Sequence, residues 1–493
     1  MMIGAAAGTV GAYAAEIEIN GVTWQYTDRD DTAKTVTLGL GGSGNTAMPT
    51  ATVLDVANIP WTMTINGETY TVTKVNSYAF KSCNGLTGTL SIPNAVTEVG
   101  ERAFETCNGL TGLASIGGVT KFGNYVFNTS RDIVCDVSGI NLAQVASFGT
   151  GVFQHCTNFT GKATLNSSLT SIPGRLFNNT RITIDMIPNG VTSIGEYAFQ
   201  NTLIPRTLAM PSGLKTIGDA AFAGTPLSGF LALPKSVTGI GASTSASSRL
   251  GAFKNTQLTC LFVPGPDTVT SGTQTYTEIC VQILLGSDTD GFTSPAKLFF
   301  AGHNTKMKGY STAWRDKMFR STTGTAFVPL NGYWDGFTGS TGTDVFYYGP
   351  ATNIDFSVNA DAKVITATPT DEAALVKVIS EWAPLFKAYC GWNTRINVTN
   401  SIEVAAGTIT AEMLNSVEFN TMLLTFKVNT QAQLNNVLAA VPASTYPLLA
   451  IDASDAREEL ILPQGREIYV RVSGDGKQGK YRPKINGLII SFF

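Results

Sequence analysis

Between Val72 and Thr256 the apolar positions return in a fixed order. An apolar residue is followed by two that are mostly polar, a second apolar residue and usually a glycine. A small or branched residue and Phe come next, and three places after the Phe stands a small residue. "VTEVGERAFETCNGL", from Val96 to Leu110, is one such unit. Its echoes are "VTKVNSYAFKSCNGL" at Val72, "VTKFGNYVFNTS" at Val119, "VASFGTGVFQHCTNF" at Val145, "LTSIPGRLFNNT" at Leu169, "VTSIGEYAFQNT" at Val191, "LKTIGDAAFAGT" at Leu214 and "VTGIGASTSASSRLGAFKNT" at Val237. Successive starts lie 24, 23, 26, 24, 22, 23 and 23 residues apart. Most copies run on to a short apolar stretch ending in proline, such as "LSIP" to Pro93 or "LAMP" to Pro211. A period in this range marks a repeat architecture.

One unit is too short to bury a core alone. Stacked units bury one another's apolar faces, so the pattern predicts a solenoid with equivalent side chains in interior ladders. The glycine after the second apolar place suits a site where a side chain would clash or φ is positive. The proline ends a short strand without breaking a ladder bond. Three residues after each Phe the chain reads Cys83, Cys107, Ser130, Cys156, Thr180, Thr202, Thr225 and Thr256. The shared property is small size, so these cysteines read as small buried hydrophobes rather than reactive thiols.

The units resemble the BspA-like, type-5 leucine-rich repeats of bacterial surface proteins, often from Bacteroidetes. The residues that carry the resemblance are the quoted copies and the "INGETYTVTKV" lead-in from Ile65 to Val75. It covers about residues 65–265. Pro173 in the fifth copy and the "VF" of the third depart from the pattern. The resemblance implies a secreted or cell-surface binding scaffold and no particular ligand.

The rest of the chain divides by composition. Residues 1–15 are small and apolar, with an Ala12-Tyr13-Ala14 cleavage-like triplet but no positive start, and read as the remnant of a secretion signal. Residues 16–64 alternate, with an Asn20-Gly21 turn, and predict an N-terminal β cap. Residues 266–353 hold degenerate strands ("AKLFFAG", "TAFVPLNGYWDGF", "TDVFYYGP"), a helical spacing in "TKMKGYSTAWRDKMF" and a dense aromatic set, and read as divergent repeats with a C-terminal cap. In residues 354–493 helical and strand patterns alternate, giving an α/β or α+β domain of no recognised family. Helices are expected at "TDEAALVKVISEWAPLFKAY", "TAEMLNSVEF" and "TQAQLNNVLAAV". The fold class is therefore a mostly β leucine-rich-repeat solenoid with two flanking parts.

Charge narrows the chemistry. Charged residues make up 14% of the chain and the net charge is −3. With no basic stretch, nucleic acid has no electrostatic foothold. Seven scattered cysteines and two histidines form no metal or disulfide framework. No cofactor-binding motif, GxSxG or HExxH occurs, and no segment is long and apolar enough to span a membrane. His155-Cys156 is the nearest approach to a catalytic pair, but neighbours on an extended chain point opposite ways. The sequence reads as a non-enzyme whose ligand is a protein or matrix component. The alternative is a glycan held by the 327–348 aromatics, with Tyr333, Trp334 and Asp335 as the candidate contacts between Gly332 and Gly336. An unrecognised enzyme within 354–493 is the third reading.

Overall fold

The computed structural model describes residues 14–241, 251–265 and shorter stretches between 269 and 472. It is rich in strands, with few helices. A hairpin opens it. Ala15–Ile19 pairs antiparallel with Val22–Asp30 around Asn20 and Gly21, both at positive φ. That is the turn an Asn-Gly pair favours. Thr35–Leu38 then pairs antiparallel with Val22–Asp30 and parallel with Glu68–Val75.

From there the repeats stack in parallel. Most contribute a two-residue strand ending at the second apolar position, the first copy a longer one and the fourth a single bridge from Ser147 to Lys121. Glu68–Val75, Glu98–Val99 and Lys121–Phe122 pair in register. So do Ser171–Ile172, Ser193–Ile194, Thr216–Ile217 and Gly239–Ile240. Thr277–Ile279 and Thr305–Met307 extend the same sheet, so the helical spacing read from Thr305 onward begins on a strand; residues 308–319 lie outside the described residues. A second set of parallel strands follows the small residue of most repeats, among them Leu86–Ser91, Leu110–Ser115, Phe159–Ala163 and Arg181–Ile184.

Between the two sets runs a column of phenylalanines. Centroid separations from Phe80 through Phe104, Phe127, Phe153, Phe177, Phe199 and Phe222 to Phe253 are 5.0, 5.5, 6.0, 5.9, 6.0, 5.5 and 5.4 Å. Every ring is buried. Stacks of this kind are worth about 0.5–1.5 kcal/mol per pair beyond burial. Trp24 of the opening hairpin meets Phe80 edge-on at 6.3 Å and closes the column at its first end.

The glycine row follows from close backbone approach. A β-carbon would lie 2.4 Å from the Ser77 nitrogen at Gly100, 2.4 Å from the Glu101 nitrogen at Gly123 and 2.3 Å from the Gly174 nitrogen at Gly195. The preceding copy's backbone occupies that space.

The turn holding each Phe is a ladder in its own right. Tyr78, Phe80 and Ser82 donate their N–H groups to Glu101, Ala103 and Glu105 of the next copy at 2.7–2.8 Å. The price is two positive-φ residues per copy, Tyr78 and Ser82 here, Arg102 and Thr106 in the next. Each costs on the order of 1–3 kcal/mol, offset by the backbone bonds that the turns make to the next copy.

The later strands Ser228–Ala232, Gln257–Val263, Leu298–Ala301, Gly324–Pro329 and Thr343–Tyr348 form one parallel sheet. Its two faces serve two cores. Leu261, Val263, Ala301, Ala326 and Val328 face the repeat interior. Cys260, Phe262, Phe300 and Phe327 point the other way, as alternate strand residues must. They are covered by Phe356, Trp382 and Phe386.

Those covering residues come from strands and a bent helix. Ile354–Asn359, Val364–Pro369, Asn393–Ile396 and Val417–Phe419 form a sheet. Val417–Phe419 is a strand where the apolar spacing of "TAEMLNSVEF" predicts a helix, because its edge pairs with Asn393–Ile396. Asp371 caps the helix Glu372–Lys377 by accepting from the Ala374 N–H at 2.8 Å. A π turn, Val378–Trp382, follows, then Ala383–Cys390. The wider turn precedes Pro384, whose ring has no N–H and crowds the carbonyl four residues back. A second helix, Gln431–Ala440, opens with a Thr430/Gln433 capping box.

Candidate binding surface

The exposed positions of the repeats are those between and after the apolar pair. Thr97, Thr120, Ala146, Thr170, Thr192 and Lys215 form one outward row. Their hydroxyls mostly reach the carbonyl of the preceding copy: Thr97 to Thr73 and Thr120 to Thr97 at 3.4 Å, Thr192 to Thr170 at 3.2 Å. Beside it lies a row that changes character along the stack. Lys74, Glu98 and Lys121 form an ion ladder, with Glu98 3.5 and 3.0 Å from the two ammonium groups. Farther on the same row carries Ser147, Ser171, Ser193 and Thr216.

Where that row carries Ser171, Ser193 and Thr216 the surface is concave. A groove of about 550 Å³ crosses three consecutive copies. Its walls are Ser171 to Gly174, Ser193 to Glu196 and Thr216 to Asp219. Gly174, Gly195 and Gly218 are among the lining residues, and their close approach sets the three copies backbone to backbone beneath it. Arg175 pairs with Glu196 at its side and stacks over Tyr197 at 4.9 Å. A trough lined by hydroxyls, backbone and the acidic residues Glu196 and Asp219 suits an extended ligand that offers hydrogen-bond donors and acceptors.

A second polar cluster surrounds Glu105. Arg102 donates to it at 2.7 and 2.9 Å, Asn128 at 2.8 Å, and Lys81 pairs with it at 3.2 Å. Burial pushes the Glu105 carboxyl up, but these partners outweigh burial and hold it below the ordinary carboxylate range. All its partners are internal, so this cluster joins copies rather than awaiting a ligand.

His155 and Cys156 do not form a reactive pair. The local chain turns rather than extends, with His155 at φ +60°. The His155 ring meets Gln154 at 3.2 Å and Asn179 at 3.1 Å. Cys156 is fully buried and donates to the Phe127 carbonyl at 3.0 Å. Burial pushes its thiol well up, away from the nucleophilic thiolate.

Hydrogen bonding extends along the small-residue row from Cys107 onward, which size alone did not foretell. Cys107 and Ser130, like Cys156, donate to the Phe carbonyl of the preceding copy, at 2.9 and 2.8 Å. Thr180, Thr202, Thr225 and Thr256 donate within their own copy at 2.7–2.9 Å.

Tyr333, Trp334 and Asp335 lie outside the described residues. Of the surrounding aromatics, Phe300, Phe327 and Tyr348 are buried. The strand alternation turns Phe300 and Phe327 away from the repeats, but Phe356 and Phe386 cover both. The flanking members of the 327–348 set, Phe327 and Tyr348, therefore offer no face to a glycan.

Among the described residues no group of three His, Cys, Asp or Glu could hold a metal ion. No helix among them is long and apolar enough to cross a membrane.

The parallel strands and the phenylalanine column show repeats stacked one on the next. Residues 62–134 and 133–251 match the BspA type leucine rich repeat region, in six copies. This region of the chain is thus a BspA-type repeat array. A leucine rich cell surface protein from Faecalibacterium prausnitzii is 17% identical, with 69% of this chain and 96% of that one covered and a TM-score of 0.38. A leucine-rich repeat protein from Bacteroides ovatus is 15% identical, covering 68% and 100%, at a TM-score of 0.29. One from Eubacterium ventriosum is 18% identical, covering 67% and 94%, at 0.30. Comparison with curated proteins gives no match.

Proposed function

We propose that the chain is a secreted or cell-surface scaffold whose repeat solenoid binds a protein or extracellular-matrix ligand. The observation that carries this reading is the groove over Ser171, Ser193 and Thr216. The residues recurring in the interior serve packing, while the outward rows present hydroxyls and a few charges to solvent, the face a repeat scaffold uses for recognition. The BspA-type repeats favour a location outside the cell. A protein segment laid along the groove would meet hydroxyls at the spacing of adjacent parallel strands, roughly 4.8 Å.

Probing the full chain against panels of matrix proteins and of glycans tests the reading. Protein capture that falls at least about tenfold, roughly 1.4 kcal/mol, in Ser193→Arg supports it, provided the melting temperature is unchanged. Glycan capture that disappears in Trp334→Ala would replace it with the sugar-binding alternative.

A further inference from the structure

The sequence spacing of the cysteines suggests no pairing, yet two of them meet. Cys260 lies on the strand Gln257–Val263 and Cys390 ends the helix Ala383–Cys390, 130 residues later. Their sulfurs are 3.0 Å apart. Both elements are held there independently of the thiols. The Phe230 and Trp392 rings touch beside them at 4.0 Å between centroids. Cys260 also shares a core with Phe300, Phe386 and Trp382. The other described cysteines are differently placed, with Cys107 and Cys156 already bonded to Phe carbonyls.

We propose that Cys260 and Cys390 are a disulfide-forming pair that fastens the helix Ala383–Cys390 to the outer face of the last repeats. A disulfide needs its sulfurs about 2.05 Å apart, and half-buried Cys390 has the freedom to close the gap. It is also the entry point for an oxidant, since Cys260 is fully buried and burial holds its thiol well above the ordinary range. The oxidant is a low-molecular-weight disulfide. The Cys390 thiolate attacks one of its sulfurs, forming a mixed disulfide and expelling one small thiol. Cys260, losing its proton, then attacks the Cys390 sulfur and expels the second. Two protein thiols give up two protons and two electrons, and the donor disulfide becomes two thiols. This inference is independent of what the groove binds.

Equilibrating the full chain with reduced and oxidised glutathione, then unfolding it in an alkylating reagent without reductant, tests the pair. Two of the seven thiols should escape alkylation, and a peptide map should join Cys260 to Cys390. Reductant should lower the melting temperature of the wild type and leave that of Cys390→Ser unchanged. Seven alkylated thiols, or a link joining any other two cysteines, would overturn the assignment. The thiol count on wild-type protein decides the matter even if Cys390→Ser folds poorly.

Discussion

Phe222 and Phe253 stack 5.4 Å apart with ring planes 1° from parallel. Thirty-one residues separate them, counting from 222 to 253, against 22 to 26 for every earlier pair in the column. The extra Ser/Ala-rich length therefore leaves the column unbroken. What fixes the fold is the recurrence of the packing residues, not the length of chain between them.

The column should dominate stability. Phe177 is buried and stacked on both sides, 5.9 Å from Phe153 and 6.0 Å from Phe199. Phe177→Ala is expected to cost about 3–5 kcal/mol, and Phe177→Leu much less, because most of the apolar volume is kept. Urea unfolding measures both.

The glycine row makes a paired prediction. At Gly123 a β-carbon would sit 2.4 Å from the Glu101 nitrogen, whereas at Gly213 nothing lies within 4 Å. Gly123→Ala should destabilise by about 1–3 kcal/mol. Gly213→Ala should be neutral or slightly stabilising, by up to about 1 kcal/mol. Thermal unfolding of the two variants separates close approach from general glycine flexibility.

The small-residue row predicts unequal losses. Ser130 accepts from the Cys107 N–H at 3.1 Å and donates to the Phe104 carbonyl at 2.8 Å, so it bridges two copies. Thr202 donates only to Phe199, whose carbonyl keeps a backbone partner. Ser130→Ala should cost about 1–3 kcal/mol and Thr202→Val about 0.5–1.5 kcal/mol. Equal losses in denaturant titration would argue against an inter-copy role for Ser130.

Glu105 gives the pH dependence. Its folded-state carboxyl titrates below its unfolded value, so its contribution is fully present above the unfolded value, about 4.3, and is lost as pH falls through the lower folded value. Glu105→Gln should be less stable than wild type at neutral pH. The gap should begin to shrink as pH falls below the unfolded value and close once it has passed through the lower folded value, where Glu105 is neutral like the glutamine. Unfolding midpoints across that range provide the check.

The register of the copies was legible because each packing volume recurs at a fixed place. Glycine was legible as a place without room, although the obstacle proves to be backbone rather than positive φ at Gly100 and Gly123. The hydrogen bonds of the small row were hidden because Cys, Ser and Thr share both size and a donor. Which carbonyl they reach depends on the side-chain rotamer, which branching restricts in Thr. The outward turn of Phe300 and Phe327 was hidden too, because a degenerate strand does not announce which face is covered by chain that follows. The groove escaped notice for a related reason: it exists only where three copies lie side by side. Cys260 and Cys390 meet only through tertiary packing, which spacing cannot encode.

Cross-linking tests the stacking most directly. Glu98 and Lys121 are register partners on adjacent parallel strands, a separation of roughly 4.8 Å between backbones and within reach of a disulfide. Glu98 and Ser147 lie two copies apart, at about twice that distance. Under mild oxidation the double variant Glu98→Cys/Lys121→Cys should form its internal disulfide readily, and Glu98→Cys/Ser147→Cys should not. Cross-linking of the second pair in preference to the first would contradict a one-above-another arrangement of the repeats.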